Sequence, residues 1–181
     1  MKEQIPLSNA HRLINVGCIV LITATAKGRT NVMPAAWVSP VSQRPPLVAV
    51  SIAVTSFTHD LIARSNEFVL NVPGAELVKQ VMTMGTVSGR DADKLKQSGL
   101  HLAPPKVVSA PLIAECLGHL ECAVANRITV GDHSLFIGEV LAAWAEKDAF
   151  DQFWRLEHRE LKPLHHLGAN TFSVLEQPFQ V

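Results

Sequence analysis

Short apolar segments, rather than long amphipathic helices, dominate the hydrophobic pattern of this chain. Residues 17–26 form an apolar run, the polar sequence Lys27-Gly28-Arg29 interrupts it, and an extended pattern resumes at 30–38. A polar break that contains glycine between two such runs is typical of a β-hairpin. The first part of the chain therefore predicts two antiparallel strands joined by a tight turn.

The next segments predict a loop, a buried strand and the start of a helix. Residues 39–46 contain three prolines, which indicates a rigid loop. Residues 47–53 are apolar at nearly every position, as in a strand that is buried on both faces. Hydroxyl side chains cluster at 55–58, and Leu61 and Ile62 follow at helical spacing, so a helix is expected to begin at the cluster. Such a helix start can bind an anion.

The second half of the chain predicts a further hairpin and one amphipathic helix. Helical periodicity covers residues 75–84. Extended patterns cover 67–72, 117–130, 134–144 and 171–175, with a polar Gly131-Asp132-His133 turn between the two longest. Six or seven strands joined mostly by hairpins favour a closed antiparallel barrel. A sheet of βαβ units would need longer helices in regular alternation with the strands.

Length, charge and the amino terminus narrow the class of protein. With 181 residues, the chain is expected to form a single domain, residues 1–181. Its 16 basic residues balance 16 acidic ones, so no overall field favours nucleic acid or an anionic membrane surface. Residues 1–6 lack the basic flank and apolar stretch of a secretory signal, and no apolar run reaches membrane-spanning length. We therefore expect a cytoplasmic protein.

Familiar catalytic and metal-binding motifs are missing from the sequence. There is no Gly-x-Gly-x-x-Gly fingerprint, no phosphate-binding loop and no Gly-x-Ser-x-Gly elbow. The eight histidines include the adjacent pair His165 and His166 but no metal-ligand spacing, so no metal is expected. Adjacent side chains on an extended segment point to opposite faces, so at most one of this pair should face a given site.

Eight sequence segments in a fixed order cover most of the chain and carry a resemblance to a known family. They are 31–40 (NVMPAAWVSP), 45–52 (PPLVAVSI), 56–62 (SFTHDLI), 67–73 (EFVLNVP), 88–94 (SGRDADK), 115–122 (ECLGHLEC), 131–140 (GDHSLFIGEV) and 166–170 (HLGAN). In these segments the chain resembles the flavin reductase-like family of FMN-binding split barrels, especially its flavoredoxin branch.

The resemblance implies a fold, a cofactor and partners. The implied fold is mainly β with short helices, namely a six-stranded antiparallel FMN-binding split β-barrel of the Greek-key type. The implied assembly is a homodimer that holds FMN near the subunit interface. NADH or NADPH, or an electron-transfer protein partner, would reduce the flavin.

The resemblance also assigns residues to the cofactor. Ser56, Thr58 and His59 fit a phosphate site at a helix start, although simple helix capping is the alternative. Arg90 and Lys94 are expected to add charge-assisted phosphate contacts, unless they belong to an ordinary solvated face. The full set expected to hold the flavin is Asn31, Trp37, Val38, Ser39, Pro40, Ser51, Ile52, Ala53, Ser56, Phe57, Thr58, His59, Arg90, Lys94, His166 and Asn170.

Several residues expected at the flavin ring have structural alternatives. Trp37 could instead be an ordinary core residue. His133 is the candidate catalytic residue, yet a Gly-Asp-His turn between two strands needs no function. His166 and Asn170 could contact the edge of the flavin, or they could form a buried hydrogen-bonded pair that closes the barrel.

These expectations favour an enzyme, an NAD(P)H-dependent flavin reductase that passes hydride from nicotinamide to flavin. One alternative is a flavoredoxin-like electron-transfer flavoprotein that is reduced by a protein partner, and another is a non-redox flavin-binding module. Several members of the family have Tyr near the carboxyl-terminal His-x-Gly segment. This chain has Phe172 and no Tyr at all, so a hydroxyl contact to the flavin is expected to be absent.

Overall fold

Antiparallel strands and a few short helices make up the described part of the chain, residues 17–176 and 179 of a computed structural model. The strands are β1 (Gly17–Cys18), β2 (Val20–Ala26), β3 (Arg29–Ala35), β4 (Val38–Gln43), β5 (Pro46–Ala53), β6 (Glu67–Val72), β7 (Leu102–Ala103), β8 (Leu112–Ile113), β9 (Gly118–Val130), β10 (His133–Ala145), β11 (Leu164–Gly168) and β12 (Thr171–Val174). The helices are α1 (Phe57–Ser65), α2 (Val78–Thr86) and α3 (Lys94–Ser98), with short 3₁₀ helices at Ala75–Leu77 and Arg159–Leu161. No helix in these residues is long and apolar enough to cross a membrane.

Most strands belong to one antiparallel sheet of seven strands, in the order β3-β2-β6-β9-β10-β5-β4. Two smaller sheets, β1-β11-β12 and β7-β8, accompany it. The mainly β fold with short helices is therefore confirmed. The expected ring of hydrogen bonds is not closed within the described residues, because β3 and β4 are the two ends of the large sheet. Each end strand contains a proline, Pro34 or Pro40, which has no N–H to extend the ladder.

The expectation of a rigid loop at 39–46 is wrong. Val38–Gln43 forms β4 and pairs antiparallel with β5. Proline is tolerated here because β4 is an edge strand, whose outer N–H groups need no partner. The pairing also shifts register between Pro40 and Ser42, as at a β-bulge.

Other elements differ from the expected boundaries. The run 17–26 divides at Ile19 into β1 and β2, which belong to different sheets. Ile19 donates its amide to the Leu164 carbonyl at 2.8 Å, which joins this break to β11. The helix expected at 75–84 begins as a 3₁₀ turn and continues as α2. Residues 1–6, on which the expectation of no secretory signal rests, lie outside the described residues.

The main core lies between the large sheet and α1. It contains the fully buried rings of Phe68 and Phe136, and α1 contributes Leu61 and Ile62. Glycine is needed at position 138 of β10, because a Cβ there would lie 2.5 Å from the Phe68 Cζ. A second apolar cluster packs α2 against β2 and β3. The start of α1 and the end of α2 consequently border one pocket.

Candidate functional site

A cavity of about 550 Å³ lies between β3, α2, the ends of β5 and β10, and the turn that joins β11 to β12. Its apolar lining includes Met33 and Pro34 from β3 and Val81 and Met82 from α2. The polar side chains along it belong to Ser51, Ser56, Thr86, His133, His166 and Asn170. Mostly apolar cavities of this size with a few polar groups are typical of cofactor and small-molecule sites.

A second pocket, of about 380 Å³, adjoins the cavity. Both are lined by Met33, Pro34, Ser56, Gly85 and Thr86. Beyond these shared residues, the lining of the second pocket, here called the polar pocket, includes Asn31, Phe57, Ser88, Arg90 and Lys94. The continuous site therefore has an apolar end and a polar end.

The polar pocket contains the start of α1. Ser56 precedes the helix in an extended conformation, and its hydroxyl donates to the Met33 sulfur at 2.9 Å instead of capping the helix. The amides of Phe57, Thr58 and His59 belong to the first turn, where a helix offers its N–H groups no internal partner. These amides and the positive end of the helix dipole favour a bound anion.

Arg90 is held beside this helix start. Its Nη1 donates to the Thr55 carbonyl at 2.7 Å, and its Nη2 donates to the Asp60 carboxylate at 2.5 Å. Both side chains of the ion pair are 42% exposed, so the pair itself adds little stability. The guanidinium also lies 5.4 Å from the Phe57 ring centre. These contacts orient a cation at the polar pocket while leaving some of its five N–H groups for a ligand.

A close approach between Asn31 and the loop that follows α2 shapes the same pocket. Asn31 is buried and donates from Nδ2 to the Thr58 hydroxyl at 2.8 Å. A Cβ at Gly89 would lie 2.0 Å from the Asn31 Oδ1, so only glycine allows the loop to pass this close. Thr58 is fully buried, so its hydroxyl holds Asn31 in place without lining the pocket itself.

Lys94 crosses beneath the polar pocket as a structural link. Its Nζ donates to the Met84 carbonyl at 2.7 Å and to the Val32 carbonyl at 3.2 Å. Burial lowers the pKa of this ammonium group from its ordinary value. Two carbonyl partners and a residue exposure of 7% give Lys94 the role of joining the end of α2 to β3.

His59 does not line either pocket, although it lies in the first turn of α1. Its Nε2 lies 2.9 Å from the Ser134 hydroxyl on β10. Burial lowers the pKa of His59 below its ordinary value, and the nearby Asp60 carboxylate opposes that shift. The neutral imidazole therefore links the helix to the sheet.

At the apolar end, His133 and Trp37 lie against one another with ring centres 4.9 Å apart. The His133 Nδ1 is 2.7 Å from the Asp132 carboxylate, and the hydrogen bond from His133 lowers the pKa of Asp132. The Ser51 amide donates to the Trp37 carbonyl at 2.9 Å, which fixes the start of β4 against β5.

The turn between β11 and β12 places one histidine of the adjacent pair in the cavity lining. His166 lines the cavity, and its Nε2 lies 2.9 Å from the Ala169 carbonyl. His165 instead has its Nδ1 3.1 Å from the Pro163 carbonyl and is not part of the lining. Phe172 also lines the cavity.

The structure gathers most of the expected cofactor residues in two adjoining groups. The cavity is lined by Trp37, Ser51, Ala53, Ser56, His133, His166 and Asn170. The polar pocket is lined by Asn31, Ser56, Phe57, Arg90 and Lys94. Neither lining includes Val38, Ser39, Pro40, Ile52, Thr58 or His59. Ile52 lies in the core, whereas Ser39 and Pro40 are exposed on β4.

Helix α2 supplies a wall that the sequence pattern did not identify as part of a site. Helical periodicity predicts that Val81 and Met82 are ordinary core residues, because apolar residues at this spacing usually belong to the core. One signal was present, since Gly85 interrupts a helix and lies on the same face as Met82. A Cβ at Gly85 would approach the Pro34 Cγ to 3.2 Å, so this glycine lets α2 lie close to β3.

None of the three cysteines lines the cavity or the polar pocket. Burial raises the pKa of Cys18 to about 11 and that of Cys122 to about 12, and it raises the pKa of Cys116 further. All three are free. Within residues 17–176 and 179, no group of three or more His, Cys, Asp or Glu side chains is placed to hold a metal ion.

Comparison with known proteins identifies the family. Residues 15–167 match the model of the flavin reductase like domain, so this protein belongs to the flavin reductase-like family. The YddH protein of Escherichia coli strain K12 is 36% identical over 173 residues, which cover 93% of this chain and 92% of that relative.

Solved structures agree with this assignment. Flavoredoxin from Methanosarcina acetivorans has a TM-score of 0.85 and 27% identity, with 99% of this chain and 95% of that chain covered. The FMN-binding domain of a flavin reductases-like enzyme from Shewanella baltica OS155 has a TM-score of 0.83 and 29% identity, with coverages of 98% and 95%. The family and the split-barrel fold class predicted from the sequence are thus confirmed.

Proposed function

We propose that this protein binds FMN and acts as an NAD(P)H-dependent flavin reductase. The observation that carries the proposal is the continuous site in which an apolar cavity joins a polar pocket at the start of α1. FMN has the same two-part chemistry, because it combines a largely apolar tricyclic ring with a phosphate of close to two negative charges. Membership of the flavin reductase-like family supports the assignment.

At the polar end, the available donors suit a phosphate. The first amides of α1 and the Arg90 guanidinium would hold it, with the Ser88 hydroxyl in the same lining. Charge-assisted hydrogen bonds of this kind are stronger than neutral ones. Backbone donors and one arginine are sufficient here, so the balanced charge of the chain is no obstacle.

At the apolar end, Met33, Val81 and Met82 would pack against the flavin ring, and Ser51 and Asn170 would meet its polar edge. Bound FMN supplies the redox chemistry, whereas the protein supplies binding, orientation and electrostatics. The adaptable methionine side chains can follow the shape of a flat ring. The apolar wall would also exclude water from one side of the site.

His133 is the proposed catalytic residue. Its Nδ1 donates to the Asp132 carboxylate, so Nε2 is the ring nitrogen left to exchange a proton. We assign to Nε2 the task of taking up a proton from solvent and delivering it at the cavity, because full reduction of a flavin by hydride also consumes a proton. Trp37 is 42% exposed and lies beside His133, so it borders the side from which a nicotinamide ring would approach.

The second candidate is an electron-transfer flavoprotein. The similarity to a flavoredoxin favours it, and a protein partner rather than a nicotinamide would then deliver the electrons. A non-redox flavin-binding module is the third candidate. All three share the same FMN site. The first two differ in the electron donor, and the third has none.

We also propose that the protein is a homodimer. Ile128 and Val130 lie at the end of the β9–β10 hairpin and remain 46% and 69% exposed. Neighbouring apolar side chains exposed at one place favour contact with another protein surface. A second copy of the chain would cover them.

Anaerobic absorbance spectroscopy tests the proposed activity. The protein is loaded with FMN, separated from unbound flavin, and mixed with NADH or NADPH. Rapid bleaching by either nicotinamide supports the reductase, whereas bleaching only by a reduced electron-transfer protein supports the second candidate. Retained flavin that no donor reduces supports the third, and failure to retain FMN overturns flavin binding itself.

The His133→Ala variant tests the catalytic assignment in the same experiment. It is expected to retain FMN and to be reduced by nicotinamide about 100-fold more slowly, since general acid or base groups contribute about that factor. An unchanged rate of reduction would remove His133 from the mechanism.

A further inference from the structure

The His59 side chain contacts the sheet rather than the polar pocket. Its Nε2 is 2.9 Å from the Ser134 Oγ, which is in turn 2.9 Å from the Thr129 Oγ1 on β9. Ser134 is fully buried, and the imidazole meets the Phe136 ring edge-on with ring centres 5.1 Å apart. A single side chain therefore ties the first turn of α1 to the start of β10 in the large sheet.

The other imidazole nitrogen lacks a hydrogen bond. The Nδ1 of His59 is buried and has no hydrogen-bond partner among the described residues. The Asp60 Oδ1 lies 3.9 Å away, beyond hydrogen-bonding distance. A buried polar atom without a partner costs free energy, so packing alone would favour an apolar ring at this position. An apolar ring could not form the hydrogen bond that His59 makes with Ser134.

Both ends of the proposed FMN site depend on the elements that His59 joins. Helix α1 supplies the first-turn amides, and its Asp60 holds Arg90 at the polar pocket. Strand β10 carries His133, the residue before Ser134, in the cavity lining. A shift of the helix start relative to β10 would change the distance between the phosphate donors and His133 in the cavity lining.

We propose that His59 is a positioning residue that sets the place of the α1 phosphate donors relative to the start of β10, which carries His133 in the cavity lining. It acts through the Ser134 hydroxyl and does not contact the cofactor. This inference rests on the proposed function, because it requires FMN to place its phosphate at the start of α1. A histidine that only filled the core would affect ring binding and phosphate binding alike.

Binding of FMN and riboflavin to variants at position 59 tests the inference. Riboflavin has the same ring and ribityl chain without the phosphate, so the ratio of the two dissociation constants isolates phosphate binding. His59→Phe keeps an aromatic ring against Phe136 but removes the hydrogen bond. We expect its FMN affinity to fall about tenfold and its riboflavin affinity to stay within about twofold of wild type.

Two further variants identify the bond that matters. His59→Gln places an amide nitrogen near the position of Nε2, so it is expected to recover most of the FMN affinity. Ser134→Ala removes the other partner and is expected to behave as His59→Phe does. Because both changes remove the same bond, the double variant should bind FMN no more weakly than either single variant.

The outcomes separate this inference from the proposed function. A wild-type protein that binds FMN no better than riboflavin overturns the phosphate site and the inference with it. A wild-type preference for FMN that persists undiminished in His59→Phe and Ser134→Ala overturns the inference alone, as does an equal loss of FMN and riboflavin binding. Circular dichroism checks that each variant folds, and Ser134→Ala, which loses a single hydroxyl, decides the matter if His59→Phe does not fold.

Discussion

Several polar side chains around the polar pocket form hydrogen bonds to other groups of the protein. Thr58 accepts a hydrogen bond from Asn31, Lys94 donates to two carbonyls, and His59 bonds to Ser134. These residues shape the pocket. The first-turn amides of α1 and the remaining N–H groups of Arg90 are the groups placed to meet an anionic ligand.

Replacement of Arg90 tests its role at the phosphate. Arg90→Met should weaken FMN binding about 10- to 100-fold, because it removes a charge-assisted hydrogen bond, and should leave riboflavin binding unchanged. Titrations monitored by flavin fluorescence measure both constants. Arg64→Met, at the exposed opposite end of α1, is the matched control and should bind FMN as wild type does. Equal losses for both flavins in Arg90→Met would contradict the assignment.

Replacement of Lys94 should lower the stability of the protein more than it lowers the affinity for FMN. Lys94→Met leaves the Met84 and Val32 carbonyls without their donor, and unpaired buried carbonyls cost about 1 to 3 kcal/mol in free energy of unfolding. Urea unfolding measures this loss. The exposed Lys96→Met in the same helix should change stability by less than about 0.5 kcal/mol. An equal effect of the two substitutions would contradict the buried link.

For individual residues, the sequence identified members of the site but not the role of each one. The resemblance pointed to Arg90 and Lys94 as equivalent phosphate contacts. The structure distinguishes them, because the Lys94 ammonium meets the carbonyl of Val32, a residue far away in the sequence. The direction of a side chain and its distant partners are set by tertiary packing, which a local pattern does not contain.

At the scale of elements, one buried carboxylate holds a loop against the large sheet. The Glu121 side chain on β9 accepts hydrogen bonds from the amides of Lys106, Val107 and Val108 at 2.7 to 3.2 Å. It also accepts one from the Trp144 indole at 3.0 Å. Burial acts to raise the pKa of Glu121, but these hydrogen bonds together outweigh burial and lower it.

Loss of this charge should release the loop. Glu121→Gln is expected to lower the free energy of unfolding by about 2 kcal/mol, because several amides lose a charged acceptor. Hydrogen exchange at residues 106–108 should accelerate in the variant. The exposed Glu157→Gln serves as the control and should leave both measurements unchanged. Unchanged exchange at 106–108 in Glu121→Gln would show that other contacts hold the loop.

Elements with strong periodicity were predicted well, and elements defined by pairing were not. The sequence located β5, β6 and the β9–β10 hairpin within a residue or two. It missed β4 because prolines indicate a loop unless the strand lies at a sheet edge, and edge position is decided by other strands. It missed β11 for a related reason, since this strand is defined by its pairing with β1 and β12.

For the whole molecule, the titration of two partly buried histidines predicts how stability responds to pH. Burial holds the pKa of His59 and of His119 below the ordinary value of 6.5, while nearby carboxylates oppose the shift. Between the native and the unfolded pKa values, the unfolded chain therefore binds more protons than the native protein does. The free energy of unfolding should fall as the pH drops through 6.5 toward the native pKa values and level off below them.

Urea unfolding at pH 7.5 and pH 5.5 checks this expectation on flavin-free protein. The wild type should be less stable at the lower pH, and His59→Gln should show a smaller difference because one of the two histidines is gone. A pH dependence that is identical in the variant would mean that His59 does not contribute.

The arrangement of the whole molecule was only partly accessible from its sequence. Counting strands favoured a closed barrel of six or seven strands and the resemblance implied six, whereas the main sheet has seven strands and two ends. Which strands become the ends depends on long-range pairing. The cavity wall from α2 was missed in the same way, because helix periodicity identifies a buried face without telling what that face contacts.

Calorimetric titration of the wild-type protein with FMN and with riboflavin tests whether FMN binds at the joined cavity and polar pocket. Both flavins should bind, and FMN should bind at least about tenfold more tightly because its phosphate meets the start of α1 and Arg90. Equal affinities, or no binding of either flavin, would overturn the proposed site.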